Sequence, residues 1–186
     1  MITGTPGTGK TTLARKLARE LDADYLSLGK YITKYHLFSL DEKRRTRIVN
    51  IPRTSGRIRK FTQPNTRALI VDTHHPELIV PNKLTTIVFI LRCQPVILIR
   101  RLRRKKWSQD KIRENVMAEI LDSCYIAAKS YYADGKLVQL DTSRSTVKHT
   151  VETAKRILSG KKRPVLKVNW LSGLEVDERL AKYLGC

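Results

Sequence analysis

The chain has 186 residues, 41 % of them hydrophobic, and a formal net charge of +20 at pH 7. That length suits one domain with its own core, and the hydrophobic share excludes a disordered polyelectrolyte. What remains is a folded domain with a strongly basic surface, which attracts polyanions: nucleotides, RNA, an acidic protein or an anionic membrane.

The opening Met1-Ile2-Thr3-Gly4 offers only three residues for the strand expected before Gly4, so a natural start several residues upstream is expected. From Lys10, Leu13, Ala14, Leu17, Ala18 and Leu21 recur at helical spacing, with Arg15, Lys16, Arg19 and Glu20 on the other face. Tyr25–Leu28 reads as a short strand ending at Gly29, and Lys30–His36 as a short helix. Residues 39–66 are basic and poor in periodicity; Thr46–Ile51 reads as extended, and Pro52, Gly56 and Pro64 interrupt the rest.

Two near-continuous apolar runs, Ala68–Asp72 and Thr86–Leu91, have the character of buried parallel strands. A helix is expected from Pro95 to about Arg103, then a long one from an N-cap at Ser108 to about Tyr132 and a turn at Asp134-Gly135. Leu137–Leu140 reads as the last strand and Ser145–Leu158 as the last helix. In the tail, Val165–Leu171 has strand character and Val176–Leu184 the pattern of a short helix. Alternating helices and apolar strands predict an α/β fold, a parallel sheet covered on both faces. No run of 18 apolar residues occurs, and Cys93, Cys124 and Cys186 lack metal-site or disulfide spacing. A reducing, cytoplasmic location is expected, without a membrane anchor.

The strongest chemical signal is Gly4-Thr5-Pro6-Gly7-Thr8-Gly9-Lys10-Thr11, a complete GxxxxGK[ST] pattern between strand and helix. Such glycines let backbone N–H groups turn inward on phosphate oxygens at a helix N-terminus. Gly7, Gly9, Lys10, Thr11 and Thr12 are therefore the expected ATP contacts, with Lys10 on the β- and γ-phosphates and Thr11 on Mg²⁺. Asp72, at the end of a neighbouring strand, is the second metal-site carboxylate, and alternation carries His74 to the same side; the plainer alternative makes Asp72 a cap and His74 a loop residue. His75 reads as solvated. The cluster Arg100-Arg101-Leu102-Arg103-Arg104-Lys105-Lys106-Trp107 is equally well an arginine-bearing lid over the triphosphate or a solvated or RNA-contacting face. Arg47, Arg53, Arg57 and Arg59 are open alternatives for the acceptor phosphate. No Asp or Glu occurs between Lys43 and Val71, nor between Leu78 and Gln109, which favours a polyanion surface.

The phosphate loop alone admits shikimate, cytidylate and dephospho-CoA kinases. With GTPGTGKTT at 4–12, VDTHHPELIVP at 71–81, RRLRRKKW at 100–107, DKIRENVMAEILD at 110–122 and the stretch 140–158, the chain resembles the adenylate kinase 6 family over residues 1–160. The Asp-x-His after the third strand narrows the choice. The resemblance implies a P-loop NTPase fold of the monophosphate kinase type, a domain at 1–160 with a monophosphate-binding insertion at about 30–66 and a lid at about 104–114. A basic extension follows at 161–186. It implies ATP + AMP = 2 ADP together with ATPase activity, ATP and Mg²⁺ as cofactors, and a role in small ribosomal subunit maturation through a platform ribosomal protein and rRNA. By position Lys10, Asp72, His74 and Arg101 carry the chemistry, Lys105 falls where the family has an ATP-contacting arginine, and Lys30 and Asn50 replace acidic residues. Two alternatives stand beside the kinase: an ATP-switched assembly factor with little kinase activity, and a plain basic RNA-binding domain with a relic loop.

Overall fold

The computed structural model describes residues 1–41, 46–61, 67–74, 80–161 and 168–174. Five strands form one parallel sheet: β1 (Ile2–Gly4), β2 (Asp24–Ser27), β5 (Leu69–Asp72), β6 (Val88–Arg92) and β7 (Leu137–Asp141), in the spatial order β2-β5-β1-β6-β7. Both faces are covered by helices, as the apolar strands demand. On one face, Leu13, Ala14, Leu17 and Ala18 of α1 (Lys10–Glu20) and Val151, Ala154 and Ile157 of α7 (Val147–Leu158) pack on Ile2, Phe89, Leu91 and Leu140. On the other, α4 (Pro95–Arg104) and α5 (Gln109–Ile120) bury Leu98, Leu102, Ile112, Val116 and Ile120 together. Truncating one of these leucines to Ala costs about 3 kcal/mol, so the sheet end bearing the phosphate loop is well fixed.

Several expected elements differ in the structure. Leu28 opens a helix, α2 (Leu28–Lys34), instead of ending a strand; it is fully buried beside Ile32, Leu37 and Ile58. The extended stretch expected at Thr46–Ile51 is found as β4 (Thr46–Val49), but its antiparallel partner β3 (Phe38–Asp41) and the helix α3 (Ile51–Lys60), which takes in Ile51, are unexpected. Phe38 and Val49 face each other across the hairpin and pack on the Leu28–Ile58 cluster. Pro52 sits in the first turn of α3, where its missing N–H costs nothing. Asn50 caps that turn by accepting from the Arg53 N–H at 3.1 Å.

The long helix expected from Ser108 is two, α5 and α6 (Ser123–Lys129), broken at Asp122 with φ +55°. Ser108 is the N-cap residue, without a side-chain cap bond. The break has a cause outside the helix. The buried Arg92 donates from Nη2 to the Glu119 carbonyl (3.0 Å) and to the Asp122 carboxylate, taking a C-terminal carbonyl that helix continuation would have used. Beyond α7, Asn169, Trp170 and the one-turn α8 (Leu171–Leu174) are described. The strand expected over 165–171 is not found in its described part: 168–170 are irregular and Leu171 opens α8. His75, Pro64, residues 165–167, the 176–184 helix and Cys186 lie outside the described residues.

Candidate active site

In an open parallel sheet, ligands sit beyond the carboxyl ends of the strands where the chain order reverses. Here that point is β1, between β5 and β6. The loop leaving it turns through Gly4, Gly7 and Gly9 with φ of +137°, +95° and +102°. At Gly7 the positive φ favours glycine, and a Cβ there would also press on the Leu98 methyl at 2.8 Å and the Leu102 methyl at 3.0 Å, so glycine lets the loop lie on α4 unstrained. The result is a backbone cradle at the N-terminus of α1, the shape a phosphate chain requires.

Lys10 is 6 % exposed, and its ammonium donates to the Thr5 carbonyl at 3.1 Å. Burial pulls its pKa from 10.5 down to about 8, against the opposing pull of Asp72. Thr5 also accepts from the Thr8 N–H (3.3 Å) and hydroxyl (2.8 Å), which closes the turn. Thr11 donates to Asp72 Oδ2 at 2.6 Å, and the Tyr25 hydroxyl donates to the same oxygen at 3.3 Å. The Thr11 hydroxyl and the Asp72 carboxylate are hard oxygen donors in contact with each other, a set that fits Mg²⁺ with its remaining positions filled by phosphate and water. Among the described residues no cluster of three His, Cys, Asp or Glu offers an all-protein metal site.

His74 reaches the same place by a different route from the one expected. The strand ends at Asp72, so period-two alternation does not extend to it; the bend beyond Thr73 turns the ring inward, with Nδ1–H donating to the Gly4 carbonyl at 3.3 Å. Asp72 and His74 both line a cleft of about 540 Å³ with Lys10, Thr11, Lys30 and Arg47. Among the described residues lining it, Asp72 is the one carboxylate. Arg47 donates to the Thr33 hydroxyl at 3.1 Å and stacks over Phe38 at 4.5 Å. Arg53, Arg57 and Arg59 are not among the residues lining the cleft; Arg57 lies over Tyr35 at 5.0 Å.

A second cleft, about 370 Å³, opens on the other side of the loop between Thr12, Arg101, Arg104, Thr142 and Val147. Gly7, Gly9, Thr12 and Lys105 border both. Arg101 donates to the Thr142 carbonyl (2.5 Å), the Thr142 hydroxyl (3.1 Å) and the Gly7 carbonyl (3.5 Å), tying α4, the loop and the end of β7 together. Trp107 borders the first cleft, with the Lys111 ammonium 4.4 Å over its ring. A third cavity, about 570 Å³ and mostly apolar, lies at the opposite end of the sheet beneath Met1 and touches none of these groups.

Sequence reading missed Tyr25 and Thr142. Tyr25 reaches Asp72 because β2 runs beside β5, and the Thr142 hydroxyl donates to the Thr8 carbonyl at 2.8 Å from just past β7. Thr142 stands just past the carboxyl end of β7, a signal that points at it once the strands are placed, whereas Tyr25 lies in the amino half of β2 and no positional signal marks it.

A family model described as "AAA domain" matches residues 1–122. A protein of Pyrobaculum aerophilum named "Putative adenylate kinase" is 36 % identical, covering 98 % of this chain and 93 % of its own. One of the same name from Methanocaldococcus jannaschii is 29 % identical over 91 % of this chain and 90 % of its own. Among solved structures, shikimate kinase from Acinetobacter baumannii in complex with shikimate superposes with a TM-score of 0.57 at 18 % identity, covering 87 % of this chain and 92 % of its own. Shikimate kinase from Bacteroides thetaiotaomicron gives 0.51 at 18 %, covering 85 % and 96 %. These two share the P-loop monophosphate kinase fold. At 36 % identity over nearly its whole length, and with the loop, Asp72 and His74 assembled as above, the chain belongs to the archaeal P-loop family that carries the adenylate kinase name.

Proposed function

We propose that the protein is a nucleoside monophosphate kinase of adenylate kinase type, catalysing ATP + AMP = 2 ADP with some ATP hydrolysis. The observation that carries this reading is the single cleft in which Lys10, Thr11 and Asp72 face Lys30 and Arg47. One rim is built for a triphosphate, and the other offers cations to a second phosphate. In this reading residues 30–66 act as the monophosphate-binding insertion, 104–114 as a lid, and 161–186 as a basic extension of the 1–160 domain.

Phosphoryl transfer needs positioning and charge neutralisation more than covalent help. As the bond from the γ-phosphorus to the ADP oxygen breaks, an oxygen of the acceptor phosphate bonds from the opposite side. The N–H groups of residues 7–11 hold the donor phosphates, and the Lys10 ammonium moves from the Thr5 carbonyl to the β- and γ-oxygens. Thr11 and Asp72 would hold Mg²⁺, which when bound neutralises phosphate charge. Thr12 meets the α-phosphate. His74, its Nδ1 proton on Gly4, orients the acceptor, and Lys105 closes over the donor as a point charge where an arginine would form a fork. Arg101 acts on the chemistry by fixing Gly7.

The test is ATP turnover with Mg²⁺, with and without each monophosphate, measuring ADP and inorganic phosphate separately. Two ADP per AMP, with little phosphate, is the expected result. Lys10→Ala should lower kcat at least a hundredfold, a loss of about 3 kcal/mol of transition-state stabilisation; retained turnover refutes the assignment.

A second reading is favoured by the exposed Arg100, Arg103, Arg104 and Lys106 on a window without carboxylates. It makes the chain an ATP-switched factor that grips rRNA and a ribosomal protein of the small-subunit platform. Phosphate release indifferent to AMP but raised by rRNA would establish it over the first.

A further inference from the structure

One buried carboxylate plays no part in the chemistry above. Glu119, on α5, is 2 % exposed and is touched by four donors from three parts of the chain. Its Oε1 accepts from Arg92 Nε (2.8 Å), the Cys93 N–H (3.1 Å) and the Trp170 indole N–H (3.1 Å). Its Oε2 accepts from the Thr5 hydroxyl at 2.5 Å. A carboxylate has about four acceptor positions, and the donors match them in number, three on Oε1 and one on Oε2.

Arg92 alone does not explain the arrangement. The guanidinium is also held by Asp122 and Gln139, and it engages only one oxygen of Glu119. The other oxygen is given wholly to the phosphate loop. Thr5 is in turn the residue whose carbonyl holds the Lys10 ammonium and both donors of Thr8. A continuous line of hydrogen bonds therefore runs from Trp170 through Glu119 and Thr5 to Lys10. Trp170 lies on the chain segment after α7, 51 residues from Glu119, and packs against the cluster of Leu98, Leu102 and Ile112.

We propose that Glu119 is a positioning residue of the phosphate loop, and that Trp170 completes its hydrogen bonding and so couples the segment 168–174 to nucleotide affinity. The proposal deepens the kinase reading and rests on it for the role of Lys10. With the loop held this way, Lys10 waits in place for the donor; without it, the carbonyl of Thr5 and the ammonium shift together.

Removing Glu119 itself would strand a buried arginine and threaten folding, so the test approaches from both ends of the line. Thr5→Val removes the hydroxyl, and Trp170→Phe keeps the aromatic packing while removing the indole donor. The readouts are the calorimetric Kd for MgADP, kcat and KM for ATP, and Tm. Each variant should weaken MgADP three- to tenfold and lower kcat about tenfold. The double variant should be no worse than the poorer single, because both act through one carboxylate. Thr5→Ser, which restores the hydroxyl, should recover Kd to within twofold of the parent. A lowered Tm for Trp170→Phe with unchanged Kd and kcat would overturn the proposal, as would effects that multiply in the double variant. Parent protein that binds MgADP but phosphorylates no monophosphate would refute the kinase reading, while the Kd comparison still decides the role of Glu119.

Discussion

Lys10 sets the behaviour of the site before any substrate arrives. Its pKa, about 8 in the fold against 10.5 for an ordinary lysine, means that burial penalises the charged form. Between those values the unfolded chain binds more protons than the folded one, so stability rises with pH from about 8 to about 10.5 and the penalty is fully present below pH 8. The effect is about 3 kcal/mol. Urea unfolding of the nucleotide-free protein at pH 8 and pH 10 should show this rise, and Lys10→Met should flatten it. Saturating MgATP should flatten it too, since phosphate favours the ammonium. The residues of the loop were legible because GxxxxGK[ST] is contiguous and its chemistry local. Tyr25, Thr142 and Glu119 were not, because each joins the site only through sheet register or through a partner far along the chain, as Thr5 is from Glu119.

Among elements, legibility followed the length and purity of the pattern. The strands β5 and β6 and the helices α1, α4 and α7 are long or apolar enough to declare themselves. Of the hairpin only β4 is legible, as the extended stretch from Thr46; β3 alternates in Phe38-Ser39-Leu40-Asp41 but is only 4 residues long, and its Leu40 is exposed, so it does not declare itself. The helix α3 was concealed by Pro52 and Gly56, two residues that punctuate chains elsewhere. Its buried stripe is only Thr54 and Ile58. The break at Asp122 depends on Arg92, thirty positions earlier, and no local pattern carries it. α3 offers a clean test. Gly56 is exposed, lies inside the helix, and a Cβ there meets nothing within 4 Å. Gly56→Ala should raise stability by about 0.5–1 kcal/mol, a few degrees in Tm. Asn50→Ala should lower it by about 1 kcal/mol through loss of the cap.

Across the whole molecule the dominant fact is the charge of +20. Part of it lines the cleft, whose described walls carry Lys10, Lys30, Arg47 and Lys105 against Asp72. Anionic substrates are drawn in by such a field, and salt screens it. Raising ionic strength from 0.05 M to 0.5 M should therefore increase KM for ATP several-fold with little change in kcat, as steady-state assays at matched Mg²⁺ would show. Binding of a single-stranded RNA should fall along a straight line in log Kd against log salt, with a slope counting the phosphates neutralised; a flat line would remove RNA from consideration as an electrostatic partner. Among the described residues no helix is long and apolar enough to cross a membrane.

The phosphate loop lies between two openings, with Gly7, Gly9, Thr12 and Lys105 as their shared wall. For a two-substrate kinase this is a matter of traffic. In the proposed kinase, a donor whose phosphates lie on the loop and whose nucleoside extends beside Arg104 and Val147 would leave the Lys30 and Arg47 side open to the acceptor, so neither would have to leave before the other arrives. Initial-rate lines at several fixed acceptor concentrations should intersect, and dead-end analogues of the donor should compete with ATP while leaving the acceptor's own binding intact.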